Sequence, residues 1–293
     1  MKNKTTSALI LATALCTSLL FTACRKENKT ETASNNNAVS DASTSEAKFD
    51  NSGVIADAAL AGGGANDISG RIAGTDDFFA NTCATLTWDT ISTPKKITVD
   101  FGATNCLCKD GINRRGKMII TYNGKYRTTG SINTITFNDF YEEDNKIEGT
   151  KTVTNNGLNG SSQMYWSIVV TNGKITYVDG TSATWASNHT RTLVNGQSTV
   201  GSGGWVDDEY EITGSGGGTS TEGVIYIATI LTPLHKKVKG CKRFTSGVLE
   251  IVPTASNTYK RQIDFGSGAC DNQATVTVFR GNKTNTYIIK FKK

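Results

Sequence analysis

The sequence predicts an all-β protein: a long antiparallel meander, sandwich or open barrel built from many hairpins, with at most one short N-terminal helix. Three observations carry this. Apolar and polar residues alternate in runs such as Lys96-Ile97-Thr98-Val99-Asp100-Phe101 and Thr275-Val276-Thr277-Val278-Phe279, the period of a strand with one buried face. Asn123-Gly124, Asn172-Gly173 and Asn195-Gly196 fall between such runs, and both residue types accept the positive φ of tight hairpin turns. The chain holds 30 glycines and only 3 prolines; with its many threonines this composition suits pleated backbone joined by Gly-rich turns.

From the N-terminus, Lys2 and Lys4 precede an almost uncharged run, Ala8 to Ala23, rich in Leu, Ala and Thr. This reads as a signal peptide over residues 1–23, its apolar core shorter than the roughly 20 residues that a membrane-spanning helix needs. The segment Leu20-Phe21-Thr22-Ala23-Cys24 resembles the lipobox of bacterial lipoproteins, with Phe21 where Leu is usual. The resemblance implies cleavage before Cys24 and acylation of that cysteine. An acylated Cys24 then becomes the membrane anchor, since no later stretch is apolar enough to span a bilayer.

Residues 24–48 are dominated by Asn, Thr, Ser, Ala, Glu and Lys, with no aromatic before Phe49. Such a composition is expected to form a disordered tether reaching on the order of 25 to 30 Å. The short helix is expected near Val54 to Ala61, where an Ala-rich stretch ends at Gly62-Gly63-Gly64, a helix stop. A β-rich domain fills 49–293.

That domain contains an internal repeat. Val99-Asp100-Phe101-Gly102 recurs as Ile263-Asp264-Phe265-Gly266, and a cysteine follows each aspartate by six residues, Cys106 and Cys270. Each unit, about 83–128 and 241–293, also has an upstream cysteine, Cys83 or Cys241, ahead of an alternating strand. The simplest geometry is a hairpin whose second strand ends at Asp-Phe-Gly, so that the two sulfurs meet at its open end. Cys83 is then paired with Cys106 (or Cys108), and Cys241 with Cys270, each closing a loop for which chain entropy suggests about 3 to 4 kcal/mol. The seven cysteines lose Cys16 to the signal and Cys24 to lipid, leaving an odd five, and Cys108 is the candidate unpaired thiol. Cys106-Leu107-Cys108 lacks the second ligand pair of a zinc site, so no metal is expected. The repeat assigns Phe101 and Phe265 to the core and the aspartates to turn capping; Asp-Phe-Gly matches the kinase motif only in these three residues, without its partner motifs.

Loss of Lys2 and Lys4 takes the 31 basic residues to 29 against 26 acidic ones, a mature charge of +3. With no basic cluster interleaved with aromatics, nucleic acid is not an expected partner. Catalytic constellations are also sparse. His189 and His235 are far apart, without zinc-helix spacing or a Gly-x-Ser-x-Gly elbow, and are read as surface or strand-end residues. Glu142-Glu143-Asp144 and Asp207-Asp208-Glu209-Tyr210-Glu211 have the oxygen chemistry for calcium or a glycosidase pair; solvated loop acids are the plainer reading. Gly214-Ser215-Gly216-Gly217-Gly218 lacks the Lys-Ser/Thr of a phosphate loop and is read as a flexible hairpin tip. Trp88, Trp166, Trp185 and Trp205 are read as core or cross-strand packing rather than a sugar-binding face. No cofactor is expected.

Arg25-Lys26-Glu27-Asn28, directly after Cys24, looks like the surface-export signal of Bacteroidota lipoproteins with one acid in place of two. Asp89-Thr90-Ile91 resembles their O-glycosylation acceptor. Together with the lipobox and the Asn/Thr/Gly-rich body, these residues resemble Bacteroidota lipoproteins, a group with no settled activity to transfer. The resemblance implies an outer-membrane, lipid-anchored protein on the periplasmic or cell-surface face. Its expected role is non-enzymatic: a β domain for structure, adhesion or ligand capture, with other envelope proteins or glycans as partners. The alternatives are a periplasmic carrier of lipid or another apolar ligand and, less favoured, an envelope glycan hydrolase.

Overall fold

The structure is a computed structural model and describes residues 29–61, 79, 83–125, 127–199, 207–238, 240–241, 243–255 and 259–291. The signal peptide, Cys24, the Arg25-Lys26-Glu27-Asn28 segment and Trp205 lie outside the described residues. Among the described residues one α-helix, α1 (Lys29–Ala61), precedes fourteen strands. These are β1 (Thr85–Asp89), β2 (Lys95–Asp100), β3 (Cys106–Leu107), β4 (Asn113–Tyr122), β5 (Ile132–Glu142), β6 (Asn145–Leu158) and β7 (Met164–Thr176), followed by β8 (Ser182–Asn195), β9 (Glu209–Thr219), β10 (Ile225–Lys237), β11 (Ser246–Pro253), β12 (Arg261–Ser267), β13 (Gln273–Arg280) and β14 (Lys283–Lys290).

All strands belong to one antiparallel sheet in chain order, with β3 a short excursion paired to β4. Among the described residues no ladder joins β1 to β14, so the meander is open. It curls around α1: strands as distant in the order as β2, β5, β8, β9 and β11 all touch the helix. The expected alternation holds on the inner face. Ile97 and Val99 of β2, Met118 and Ile120 of β4, Leu249 and Ile251 of β11, and Val276 and Val278 of β13 are buried in one core that spans both ends of the sheet.

The two repeat units form the flanks of this sheet. Cys83 pairs with Cys106 and Cys241 with Cys270, at Cα separations of 5.7 and 5.3 Å, and Cys108 is the buried free thiol. Asp100 and Asp264 cap equivalent turns, each accepting a 2.8 Å bond through Oδ1 from the amide of Gly102 or Gly266. Those glycines have φ of 83° and 90°, which a side chain would strain. Phe101 and Phe265 are buried. Both units belong to one sheet and share one core.

The helix is far longer than the Ala-rich stretch suggests. It runs 33 residues, through most of the segment expected to be a disordered tether, and is enclosed from Ala38 onward. No apolar stripe advertises it. A helix packed on one side shows such a stripe, whereas α1 is surrounded by sheet and is lined by Ala, Ser and acidic residues whose partners come from the strands. Among the described residues no helix is long and apolar enough to cross a membrane.

Three turn expectations also change. Asn172-Gly173 is a bulge within β7, where the register to β8 shifts between Val170 and Gly173; a Cβ on Gly173 would lie 2.9 Å from the Phe49 ring of α1. Neither Asn123 nor Gly124 takes a positive φ, and the pair opens a longer loop between β4 and β5. Gly214-Ser215-Gly216-Gly217-Gly218 lies inside β9 rather than at a hairpin tip. There a Cβ on Gly216 would meet the Trp185 ring at 2.8 Å and one on Gly218 the Thr184 carbonyl at 1.9 Å. These glycines permit close approach within the sheet.

Candidate functional site

Two polar features stand out against the apolar flanks: the helix–sheet interface in the centre, and a cavity beside the helix. In the centre, the inner face of β6, β8 and β10 presents Lys151, His189, Arg191 and Lys236, all buried, to the acids of α1. Arg191 lies 3.0 Å from Asp57, and Lys236 lies 3.4 Å from Asp50. Arg191 also stacks over the Trp166 and Tyr210 rings. Lys151 donates a 2.6 Å bond to the Phe49 carbonyl. At the N-terminal side, Asp41 accepts bonds of 2.8 Å from the Tyr177 hydroxyl and from the Thr221 amide.

Burial dominates the protonation of this centre. It raises the Glu46 carboxyl to about 8, helped by Asp50 and opposed by Lys151. It lowers His189 to about 4 and Lys151 to about 8. Glu46 Oε1 lies 3.3 Å from His189 Nδ1, a separation that would suit an ion pair. Desolvation favours the neutral alternative, with the proton on the carboxyl and the imidazole uncharged near pH 7. His189 is thus an interior strand residue rather than a surface one. His235 is half-buried, 3.2 Å from Glu209 and 3.1 Å from the Thr245 hydroxyl.

The acid runs are corrected as well. Glu142 and Asp208 are buried, because each is held by cations rather than by water. Arg114, fully buried, bridges Asp110 at 2.7 Å and Glu142 at 3.2 Å, and Lys48 of α1 reaches Glu142 at 3.3 Å. Burial pushes the Glu142 carboxyl up, but Lys48 and Arg114, with Arg243 adding to them, outweigh it and hold the group below its usual range. Asp208 pairs with Arg127 and accepts a 2.7 Å bond from the Tyr210 hydroxyl. The β5–β6 turn and the β8–β9 connection fall at opposite ends of an antiparallel meander, so the two runs do not converge as a carboxylate pair. Among the described residues no three His, Cys, Asp or Glu side chains are placed to share a metal ion. Trp166 and Trp185 are buried, whereas Trp88 is 36% exposed. Asp89 turns back onto the amides of Ile91 and Ser92, leaving Ile91 95% exposed.

The cavity has a volume of about 840 Å³ and lies where the flanks of the open sheet face each other across α1. Its helical wall is the face carrying Asn37, Ser40, Thr44, Ala47, Lys48 and Asn51, spaced three and four apart as one side of a helix requires. Apart from Val39 at its edge, this wall carries short or polar side chains, and they leave the space unfilled. Opposite them stand Ile112 from the entry to β4 and, from the end of the chain, Tyr287, Ile289 and Phe291. Arg243, in the β10–β11 connection, also lines the space. Its guanidinium lies over the Phe291 ring, 4.7 Å from the centroid, and burial lowers its pKa while Glu142 acts in the opposite sense.

The acids that line the cavity are already engaged. Glu142 serves Lys48 and Arg114, Glu143 accepts the Asn113 amide at 2.8 Å, and Asp179 caps Thr181 in its own turn. Among the described residues no carboxylate comes within ion-pair distance of Arg243. Lys48, Arg243, Tyr287 and Phe291 are residues that sequence reasoning missed, and no local pattern marks them: they meet only because the sheet curls. The chain matches no protein-family model, no curated protein and no solved structure.

Proposed function

We propose that this protein is an envelope lipoprotein, anchored to the outer membrane through an acylated Cys24, whose non-catalytic β domain captures a small ligand. The single observation that carries the capture reading is the cavity of about 840 Å³ between α1 and the facing flanks. Its size lies within the range of about 300 to 1,000 Å³ typical of sites that enclose one small molecule. Its walls combine a polar helix face, an apolar and aromatic strand face, and a few charged groups, the mixture by which such sites orient a ligand. The main hollow of the curled sheet is filled by α1, which favours one bounded site over a continuous lipid channel. Support for the anchor is the lipobox-like Leu20-Phe21-Thr22-Ala23-Cys24.

Two measurements test the reading. Cells fed an alkyne-labelled fatty acid are expected to label the protein, and Cys24→Ala to abolish the label; labelling that survives the substitution removes the anchor. Native mass spectrometry of the purified protein is expected to show a retained small molecule that Ile289→Trp, which fills the cavity, displaces. A folded protein that carries nothing and binds nothing from envelope extracts would remove capture. Protease treatment of whole cells distinguishes surface exposure from periplasmic retention.

A further inference from the structure

We infer that the cavity takes a single-chain anionic amphiphile, its carboxylate or phosphate head at Arg243 and its tail along the wall formed by Ile112, Ile289 and Phe291. This deepens the capture reading and rests on it. Arg243 offers a planar fork of donors suited to a carboxylate or phosphate, and among the described residues it rests on the face of Phe291. A largely desolvated cation without a bonded counter-ion is costly, and an anionic head entering the cavity would offset that cost. Lys48 cannot serve as a rival anchor without leaving Glu142, to which it already bonds through both the side-chain and main-chain oxygens, at 3.3 and 3.2 Å.

The apolar wall is supplied by the inward-facing side of β14. Tyr287 and Ile289 are opposite Val276 and Ala274 of β13 in the ladder, so they continue the inner face of the flank. Phe291 follows and stacks on Phe265, 6.1 Å between centroids. Among the described residues no further strand covers this face beyond β14. A tail lying there would gain burial without displacing core side chains. The volume suits one chain with its head rather than a two-chain phospholipid.

Isothermal titration of the purified mature protein with dodecanoate, dodecyl phosphate, dodecanol, acetate and inorganic phosphate, each below any micellar concentration, tests this. Both anionic twelve-carbon probes are expected to bind about ten- to hundredfold more tightly than dodecanol, the range expected for charge-assisted hydrogen bonds. Acetate and inorganic phosphate are expected to bind no better than dodecanol. Arg243→Gln is expected to remove the anionic preference, weakening dodecanoate and dodecyl phosphate far more than dodecanol, and Arg243→Lys to restore part of it. Ile289→Trp, with an unaltered thermal transition, is expected to weaken all three twelve-carbon probes.

Equal binding of dodecanol and dodecanoate, with no effect of Arg243→Gln, would overturn the anionic assignment and leave capture standing. Inorganic phosphate as tight as dodecyl phosphate would overturn the amphiphile and leave an anion site. Probe binding insensitive to both Arg243→Gln and Ile289→Trp would place the ligand elsewhere and overturn the proposal. No binding by any probe would overturn it too, and retained ligand in the native protein then shows whether capture itself survives.

Discussion

The flanks and the centre of the sheet satisfy their buried polar groups by different routes. In the flanks, buried Arg114 bonds Asp110 four residues away and Glu142 across the β4–β5 hairpin, and buried Arg261 donates to the Tyr259 carbonyl two residues away at 2.8 Å. Each flank is also clipped by its own disulfide. In the centre, Lys151 finds its acceptor on Phe49, 102 residues earlier in the chain, and His189, Arg191 and Lys236 likewise look to α1. Flank order can therefore arise locally, whereas the centre is ordered only once α1 is in place. Removing a helix–sheet pair should then damage the centre as severely as a large cavity damages a flank.

The largest expected effect tests that equivalence. Arg191→Met leaves Asp57 without its partner in a buried setting and is expected to cost about 3 to 5 kcal/mol. Ile263→Ala in the flank is expected to cost about 2 to 5 kcal/mol. Urea unfolding of both variants measures the two losses. A cost for Arg191→Met well below 1 kcal/mol would show that the centre does not depend on the pair. The double variant Arg191→Met/Asp57→Leu is expected to recover part of the loss, since no charge is then stranded.

Next in size is the flank disulfide. Cys241→Ala/Cys270→Ala opens a loop with a sequence separation of 29, expected to cost about 3 to 4 kcal/mol by chain entropy. Hydrogen exchange is expected to loosen β11 to β13 first and leave β6 to β8 protected. Uniform loosening would break the distinction between regions.

A smaller effect concerns pH and belongs to the centre alone. Glu46 has a folded pKa raised to about 8 from 4.5, so its contribution is present in full below pH 4.5 and is lost as pH rises through 8. His189, lowered to about 4 from 6.5, acts oppositely: stability is lost as pH falls from 6.5 towards 4, because only the unfolded state takes up the proton. Between pH 6.5 and 8 Glu46 acts with little opposition from His189, and stability is expected to fall by about 2 kcal/mol. Glu46→Gln is expected to flatten that fall. Denaturation midpoints across the range check it, and an unchanged slope would show that Glu46 is ionised in the fold.

The smallest expected effect is Gly53→Ala. In an ordinary helix interior it would stabilise by about 1 kcal/mol. Here the new Cβ would lie 2.6 Å from Lys151 Nζ and disturb a charge-assisted bond worth about 1.5 to 3 kcal/mol, so a net loss near 1 kcal/mol is expected. A gain in thermal stability would mean that Lys151 relocates freely.

The legibility of the chain follows the same division. The flanks were readable because strand alternation, the Asp-Phe-Gly turn and the cysteine spacing are all local, and the pairings of Cys83 with Cys106 and Cys241 with Cys270 follow from one hairpin geometry. Asn172-Gly173 and the glycines of β9 misled because glycine serves equally for a turn and for close approach, and only neighbours such as Phe49 and Trp185 distinguish the two. The candidate site was almost wholly illegible. Arg243, Lys48 and Phe291 come from a loop, a helix and the end of the last strand, and nothing in their local sequence marks them as neighbours.

By itself, then, the sequence determined an open choice of antiparallel β architectures, the two disulfide-bearing units and their turns, since each depends on residues near one another in the chain. Tertiary structure alone decided that the meander stays open and curls, that residues 29–53 are helical and enclosed from Ala38 onward, and that a cavity remains along one side of α1. The physical reason is shared by all three. A helix surrounded on every side needs no apolar stripe, its acids are matched by strand cations, and the unfilled volume is set by how far two flanks approach across it.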